Sequence, residues 1–179
     1  MTDREIIENT LRATGREGIE SVLQEMDRLK FYHIPGSIKY HSAYKGGLAE
    51  HSLKVYRYAM QLKQDNAKAY GFLPDDSIAI AALLHDFCKA DSYFIRKDGK
   101  PGRSLRKFPI GHGEKSVIML LLLGLKLTED EMLAIRWHMG EYTVKETGLE
   151  KDNYLSALKS PSNSLIDLIQ QADYIAAKE

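Results

Sequence analysis

Six side chains that can bind metal are spread along the chain, and their types could together hold a divalent cation. They are His51, the adjacent pair His85 and Asp86, His112, His138 and Asp173. His85 and Asp86 directly follow an apolar run, where burying two strongly polar side chains is costly unless something compensates them. A divalent cation is the usual compensation for such a cluster, so the sequence predicts a metal site.

The ligand types favour a first-row transition metal. Imidazole and carboxylate donors suit Fe, Mn, Ni, Co or Zn, whereas calcium takes oxygen ligands only and structural zinc commonly recruits thiolates. The chain has a single cysteine, Cys88, which is not expected to bind. Neighbouring residues at a helix end point about a hundred degrees apart, so Asp86 could bridge two ions while His85 binds one. We therefore expect one or two ions.

Helices must position these side chains, because apolar residues recur at helical spacing and no alternating strand pattern is present. The predicted helices comprise one broken or two short ones between Ile6 and Leu29, one that starts after Gly46-Gly47 and carries His51, one over Ile78 to Cys88 that ends at His85 and Asp86, one from His112 to Leu123, one that starts at a Thr128–Glu131 capping box and carries His138, and one over Ser164 to Ala177 that carries Asp173. The predicted fold is all-α.

A long segment without regular pattern, residues 91–111, separates two of the ligand-bearing helices. Between positions 96 and 107 Asp98 is the single acid, and the basic residues there are Arg96, Lys97, Lys100, Arg103, Arg106 and Lys107. Long loops inside small domains are often functional, and a local concentration of positive charge in a neutral protein suggests contacts with substrate phosphate. A solvated loop without a role in binding is the alternative.

Length, composition and charge predict a single-domain protein without a general attraction to polyanions. The 179 residues, 44% of them hydrophobic, fit one domain, with packing helices in 1–30 and the metal-binding part in 40–173. The 25 basic and 25 acidic residues balance, so no overall attraction to nucleic acid or to membranes is expected. The first residues lack a signal-peptide pattern, which predicts a cytoplasmic protein. The apolar run from Val117 to Leu123 is too short to span a bilayer and is expected to be buried.

The order His, His-Asp, His, His, Asp on a helical chain resembles the HD superfamily of metal-dependent phosphohydrolases. The likeness extends from about Tyr40 to Asp173 and includes Gly-Gly-Leu-Ala-Glu-His51 and the His-Asp-x-x-Lys pattern that ends at Lys89. It implies a single HD-domain bundle of about six to eight helices around the metal site. It also implies two sets of ligands, which share Asp86: His51, His85, Asp86 and Asp173 for the first ion, and Asp86, His112 and His138 for the second.

One position departs from the pattern of dinuclear relatives. Where those relatives carry a further histidine directly after the last one, this chain has Met139. A single-metal site is therefore the alternative within the same family. In that case His112 or His138 would serve proton transfer or contact phosphate.

The resemblance implies hydrolysis of a phosphate ester by metal-activated water, with Asp86 and Lys89 in catalytic roles. Bound cations can lower the pKa of water and neutralise charge on the phosphoryl group. Lys89, one turn beyond the ligand pair, is placed to meet a phosphoryl oxygen. A lysine at a helix C-terminus is also favoured by the helix dipole alone, and that remains the alternative for Lys89. The expected substrate is a small phosphate, a nucleotide or a nucleotide-like molecule.

Two other functions fit the same residues. The first is a phosphodiesterase or exonuclease on short RNA or DNA, because Tyr40 to His51 and the His-Asp pair resemble the HD domain of certain bacterial 3′-to-5′ exoribonucleases. Those proteins add an OB-fold for single strands, which has no counterpart in this sequence. The second is a non-catalytic, metal-bearing module that binds a ligand. The full ligand set together with Lys89 argues against it, because a binding scaffold has no need for an open metal site. No membrane partner is expected.

Overall fold

The helical periodicity of the sequence is realised in the computed structural model, which describes residues 1–40, 42–104, 111–140, 148–161 and 163–179. Within these ranges the α-helices are α1 (Asp3–Ala13), α2 (Ile19–Arg28), α3 (Gly47–Asp65), α4 (Ala67–Tyr70), α5 (Asp75–Leu84), α6 (Cys88–Ser92), α7 (His112–Leu122), α8 (Glu129–Trp137), α9 (Leu149–Lys159) and α10 (Asn163–Ala176). Eight of these described helices have nine or more residues, and α4 and α6 are single turns. The expected all-α bundle is confirmed.

Helix α5 lies at the centre of the bundle because it is apolar on every side. Its residues from Ile78 to Leu84 are all buried, and it packs against α3, α8 and α10. Burying a leucine or isoleucine side chain contributes about 1.5–3 kcal/mol, so this short helix anchors its surroundings strongly. The residues that follow it, beginning with His85, are consequently held in a fixed place inside the protein.

A buried ion pair fastens the N-terminal helices to this core. Arg16, in the turn between α1 and α2, donates two hydrogen bonds of 2.7 and 2.8 Å to the fully buried carboxylate of Glu131 on α8. Ser77 on α5 donates a third to the same carboxylate, at 2.7 Å. Glu131 also completes the capping box with Thr128 that the sequence predicted. Removing one partner of such a pair typically costs about 3–5 kcal/mol, because the other charge stays buried.

A small β-hairpin stands where the sequence predicted an irregular segment. Strand β1 (Tyr93–Ile95) pairs antiparallel with β2 (Pro101–Arg103), and Tyr93 lies opposite Arg103. Three residues per strand are too few for an alternating pattern to stand out, and proline and glycine in β2 are poor strand formers. The hairpin was therefore not predicted, although the fold remains helical.

The apolar run on α7 was only partly predicted correctly. Leu120 is fully buried, but Leu121 is 45% exposed and Leu122 is 71% exposed. An unbroken apolar run does not reveal which face of a helix points inward, and α7 covers the core with one face only. Within the described ranges, no helix combines the length and the apolar character that crossing a bilayer would require.

Candidate metal centre

The six predicted ligands lie at helix ends or close to them, on five helices and the turn after α5. His51 is on α3, His85 ends α5, Asp86 follows in the turn to α6, His112 starts α7, His138 ends α8, and Asp173 is in the last turn of α10. His51, His85, Asp86 and His138 are at most 2% exposed. The packing of these helices brings side chains together that are more than a hundred residues apart in the sequence.

Two glycines permit the close approach of the helices. At Gly47, which starts α3, a Cβ atom would lie 2.0 Å from the carbonyl oxygen of Ser42. At Gly113, directly after His112, a Cβ atom would lie 2.2 Å from the carbonyl oxygen of Arg136. Neither position has room for a side chain. The second contact allows the start of α7 to meet the end of α8, which places His112 beside His138.

Asp86 is the centre of the cluster, and its two oxygens face different histidines. Oδ2 lies 3.3 Å from Nε2 of His85 and 3.7 Å from Nε2 of His51. Oδ1 lies 2.5 Å from Nε2 of His112 and 3.6 Å from Nε2 of His138. Asp173 stands on the Oδ2 side, with its Oδ1 3.0 Å from Nε2 of His51. The carboxylate thus divides the four imidazoles into two pairs.

Two overlapping groups of three residues could hold a metal ion. His51, His85 and Asp173 form one group, and His85, Asp86 and His138 form the other; within each group one ligand atom per residue lies within 4.8 Å of the others. The described residues therefore include His/Asp clusters that could hold a metal ion. Both groups share His85, whereas the resemblance implied that Asp86 would be shared. His112 belongs to neither group and contacts the cluster through Asp86.

The ring nitrogens of His85 and His138 have the tautomer that metal binding needs. Nδ1 of His85 lies 2.8 Å from the carbonyl oxygen of Ala82, and Nδ1 of His138 lies 2.7 Å from that of Ile135. A carbonyl can only accept, so Nδ1 carries a proton in both rings, and in the neutral form of each ring the lone pair is on Nε2. Both Nε2 atoms are buried and have no hydrogen-bond partner among the described residues. A cation is the partner that satisfies such atoms, so these residues fit a metal.

The environment of Asp86 and Asp173 favours their charged forms. Burial alone would raise the pKa of Asp86, but Lys89, His85 and His112 outweigh it and hold the pKa well below its usual range. Burial likewise opposes ionisation of Asp173, while a hydrogen bond from His51 and the charges of nearby histidines lower its pKa. Two carboxylates that are ionised at neutral pH can each bind a cation.

Lys89 contacts the same carboxylate from the side of α6. Its ammonium group forms a buried ion pair with Oδ2 of Asp86. Burial favours the neutral amine, but the charge and hydrogen bond of Asp86 outweigh it and raise the pKa of Lys89. The lysine is thus a buried group at the cluster whose charged form is favoured, and not a solvated cation at a helix end.

His112 differs from the other three histidines in what its ring contacts. Its Nε2 is in hydrogen-bond contact with Oδ1 of Asp86, and its Nδ1 lies 3.3 Å from Sγ of Cys88. Burial lowers the pKa of His112, but the charge of Asp86 and this hydrogen bond raise it above its ordinary value. His112 can therefore carry a proton at the edge of the cluster.

The cluster forms the floor of a cavity of about 1170 Å³. Lys89 and Arg103, two of the predicted phosphate contacts, line this cavity. Arg96 and Lys97 are exposed at the turn of the hairpin and are not among the described residues that line it. Arg106 and Lys107 lie outside the described residues. Among the described residues of the basic segment, the structure thus brings Arg103 to the site.

The sequence analysis missed the rest of the cavity wall. Tyr93 projects from the hairpin beside Arg103, and Asp167, Gln170 and Tyr174 line the cavity from α10. The α10 residues recur at intervals of three and four, so they share one face of the helix. That spacing was visible in the sequence, but nothing in it distinguished a cavity wall from a solvated helix face.

Comparison with known proteins gives two findings. The family model described as the HD domain matches residues 48–178, which is most of the chain. A dihydroneopterin 2′,3′-cyclic phosphate phosphodiesterase from Methanocaldococcus jannaschii is 38% identical over 66 residues, which are 36% of this chain. The match spans 26% of that protein's length. No solved structure matches the chain at a significant level.

Proposed function

This chain belongs to the HD-domain family, and from that premise we propose that it is a metal-dependent phosphohydrolase that cleaves a phosphate ester of a nucleotide or nucleotide-like molecule. One observation carries the proposal. Buried ring nitrogens and carboxylate oxygens converge at the floor of a cavity that also presents the cations Lys89 and Arg103. Metal ligands beside cations that fit phosphate are the combination that phosphoryl transfer requires.

The imidazoles and carboxylates would hold the metal. His51, His85, Asp86 and Asp173 would hold one ion, and Asp86, His112 and His138 would hold a second. A divalent cation supplies two things when bound there: it polarises the phosphoryl group and makes water acidic enough to attack at neutral pH. Fe, Mn, Ni, Co and Zn all suit these donors.

Lys89 would contribute directly to catalysis. Its ammonium group is buried, and the raised pKa keeps it protonated at neutral pH. A phosphoryl oxygen that reaches the cluster would meet this buried charge, and a buried charge stabilises an anion more strongly than a charge in bulk water does. The lysine would therefore stabilise charge that develops in the transition state.

Arg103 would bind the phosphate, and the role of His112 would depend on the number of metal ions. The guanidinium group of Arg103 lines the cavity from the hairpin and can hold a phosphate through two parallel hydrogen bonds. In the dinuclear site His112 would be a ligand of the second ion. In the single-metal alternative His112, which has a raised pKa and is a quarter exposed, could hold a proton where the leaving oxygen needs one.

The name of the relative and the size of the cavity indicate which type of phosphate ester to test. The relative's name describes a cyclic phosphodiesterase, which supports testing cyclic phosphodiesters first. A volume of about 1170 Å³ exceeds the roughly 300–1000 Å³ of ordinary ligand pockets, so a whole nucleotide fits. Short RNA or DNA remains the second candidate, because a cationic wall at an open cavity also suits a nucleic-acid end.

A panel of phosphate esters tests the proposal. Purified protein is supplied in turn with Mn, Fe, Co, Ni or Zn and incubated with nucleoside 2′,3′-cyclic phosphates, nucleoside monophosphates and short oligonucleotides. We expect hydrolysis of at least one class, and its loss in Asp86→Ala. A protein that binds metal but cleaves none of these esters would contradict the proposal and support a non-catalytic module.

A further inference from the structure

The cavity extends along α10 well beyond the six candidate ligands. Asp167, Gln170, Tyr174 and Lys178 all line it, at intervals of three or four residues. The ten residues of α10 from Asp167 to Ala176 span about 15 Å, and Lys178 follows the end of the helix, so this wall is much longer than a phosphate group. Asp173 lies at one edge of the same stripe. The part of the substrate that meets this wall is therefore its organic part.

Tyr174 offers an aromatic surface within this wall. The residue is 51% exposed, although it is an aromatic side chain on a well-packed helix. Nζ of Lys178 lies 4.0 Å from the centre of its ring, which orients the ring and adds a positive charge. A flat ring system can stack on the exposed surface that remains, and stacking accepts any heterocycle of suitable size.

Asp167 offers a fixed hydrogen-bond acceptor two helical turns from Tyr174. Its Oδ2 accepts from the hydroxyl of Tyr70 at 2.5 Å and from Nε2 of Gln171 at 2.9 Å. Burial is the main cause that raises the pKa of Tyr70 to about 12, and the hydrogen bond to Asp167 adds to it. The hydroxyl group therefore keeps its proton and donates a hydrogen bond to Asp167. Both described bonds end on Oδ2, which leaves Oδ1 as the oxygen that can accept from a ligand.

We propose that the α10 wall binds a flat nitrogen heterocycle that stacks on Tyr174 and donates N–H groups to Asp167. This inference rests on the proposed function, because it assigns the organic part of the same phosphate ester. Asp167 lies about 9 Å along the helix axis from Asp173, so one ligand can reach both the cluster and this carboxylate. A carboxylate accepts from adjacent ring and amino N–H groups, as on guanine, and meets an acceptor as well as a donor on adenine.

Titration calorimetry with GMP, AMP and ribose 5-phosphate tests the stacking surface. The protein is kept in EDTA, because without metal the ligands are not hydrolysed during the measurement. GMP should bind more tightly than ribose 5-phosphate, which lacks a base. Tyr174→Ala should weaken GMP binding by roughly 5- to 100-fold, the range for base stacking, and leave ribose 5-phosphate unchanged. Tyr174→Phe keeps the ring and should bind normally. Phe72→Ala is the matched control, since Phe72 is 68% exposed and does not line the cavity.

Asp167→Asn tests the acceptor with little change of shape. The remaining oxygen can still accept from Tyr70 and Gln171, while an amide nitrogen replaces Oδ1 and can only donate. The preference for GMP over AMP should disappear. Equal binding of GMP and AMP to the parent protein would overturn the role of Asp167, and equal binding of GMP and ribose 5-phosphate would overturn the whole inference.

The two proposals fail separately. Hydrolysis of phosphate esters without any dependence on the base would retain the proposed function and refute the α10 subsite. Conversely, the protein could bind nucleotides in a base-dependent way that Tyr174→Ala removes, and yet hydrolyse no ester with any metal. That result would retain the subsite and refute the proposed phosphohydrolase activity.

Discussion

Replacing Lys89 with methionine separates its catalytic role from its structural one. Lys89→Met keeps most of the volume of the side chain and removes the charge that contacts Asp86. The charge stabilises an oxygen that becomes more negative in the transition state, so turnover should fall by about a hundredfold, equivalent to about 2.7 kcal/mol of barrier. Metal content should persist, because the proposed ligands are unchanged.

The same substitution should also lower the free energy of unfolding, because it leaves the buried carboxylate of Asp86 without its lysine partner. Asp86 is 2% exposed, and removing one partner of a buried pair costs about 3–5 kcal/mol. His85 and His112 still face the carboxylate, so the loss should lie near 3 kcal/mol. For a domain of this size each kcal/mol shifts the melting temperature by about 2–4 °C, which predicts a fall of about 6–12 °C in EDTA.

Lys115→Met is the matched control for this experiment. Lys115 is 4% exposed and its ammonium group lies 2.6 Å from a carboxylate oxygen of Asp91, so the same charge is lost from a buried lysine. Its partner Asp91 is 22% exposed, so the loss of stability should be smaller than in Lys89→Met. Lys115 does not line the cavity. This variant should melt lower but turn over within about threefold of the parent protein. If Lys89→Met and Lys115→Met hydrolyse substrate equally fast, Lys89 is a structural cation and the catalytic assignment is wrong.

Three further predictions address the metal and the phosphate. Saturating Mn²⁺ at about a hundred times its dissociation constant should stabilise the protein by about 2.7 kcal/mol and raise its melting temperature by roughly 5–11 °C, and a shift that survives in His85→Ala would contradict the proposed ligands. His112→Ala and His138→Ala should each reduce bound metal toward one ion per chain if two ions bind, as elemental analysis can measure, whereas unchanged stoichiometry with lost activity supports the single-metal alternative. Arg103→Ala should raise the Michaelis constant with little change in melting temperature, while Arg96→Ala, exposed at the hairpin turn, should leave it unaltered; equal effects would remove Arg103 from the phosphate site.

The helices could be predicted from the sequence because they have local signatures, whereas the grouping of the site residues was expected from the resemblance to the HD superfamily. Apolar spacing marked the helices, and the Thr128–Glu131 capping box marked where α8 begins. His85 and Asp86 were recognisable because two polar residues directly followed a helix that had to be buried. The cluster followed from the order of these residues along a helical chain.

The remaining features depend on contacts between distant segments, which no local pattern encodes. The hairpin strands are too short to show alternation, and α9 was not predicted because its apolar residues are sparse. Asp167 and Tyr174 resemble ordinary surface residues until α10 packs beside the cluster and a cavity forms over them. The division of imidazoles between the two oxygens of Asp86 likewise required the relative positions of α3, α5, α7 and α8.

Metal content and hydrolysis, measured together in the same samples, test the central claim most directly. Protein stripped with EDTA is titrated with Mn²⁺, and each sample is assayed with the phosphate ester that the parent protein cleaves fastest. We predict that hydrolysis rises in proportion to bound metal up to one or two equivalents, and that Asp86→Ala neither retains metal nor hydrolyses the ester. Full activity in the stripped protein, or normal metal content and activity in Asp86→Ala, would contradict the assignment of this cluster as the metal centre of a phosphohydrolase.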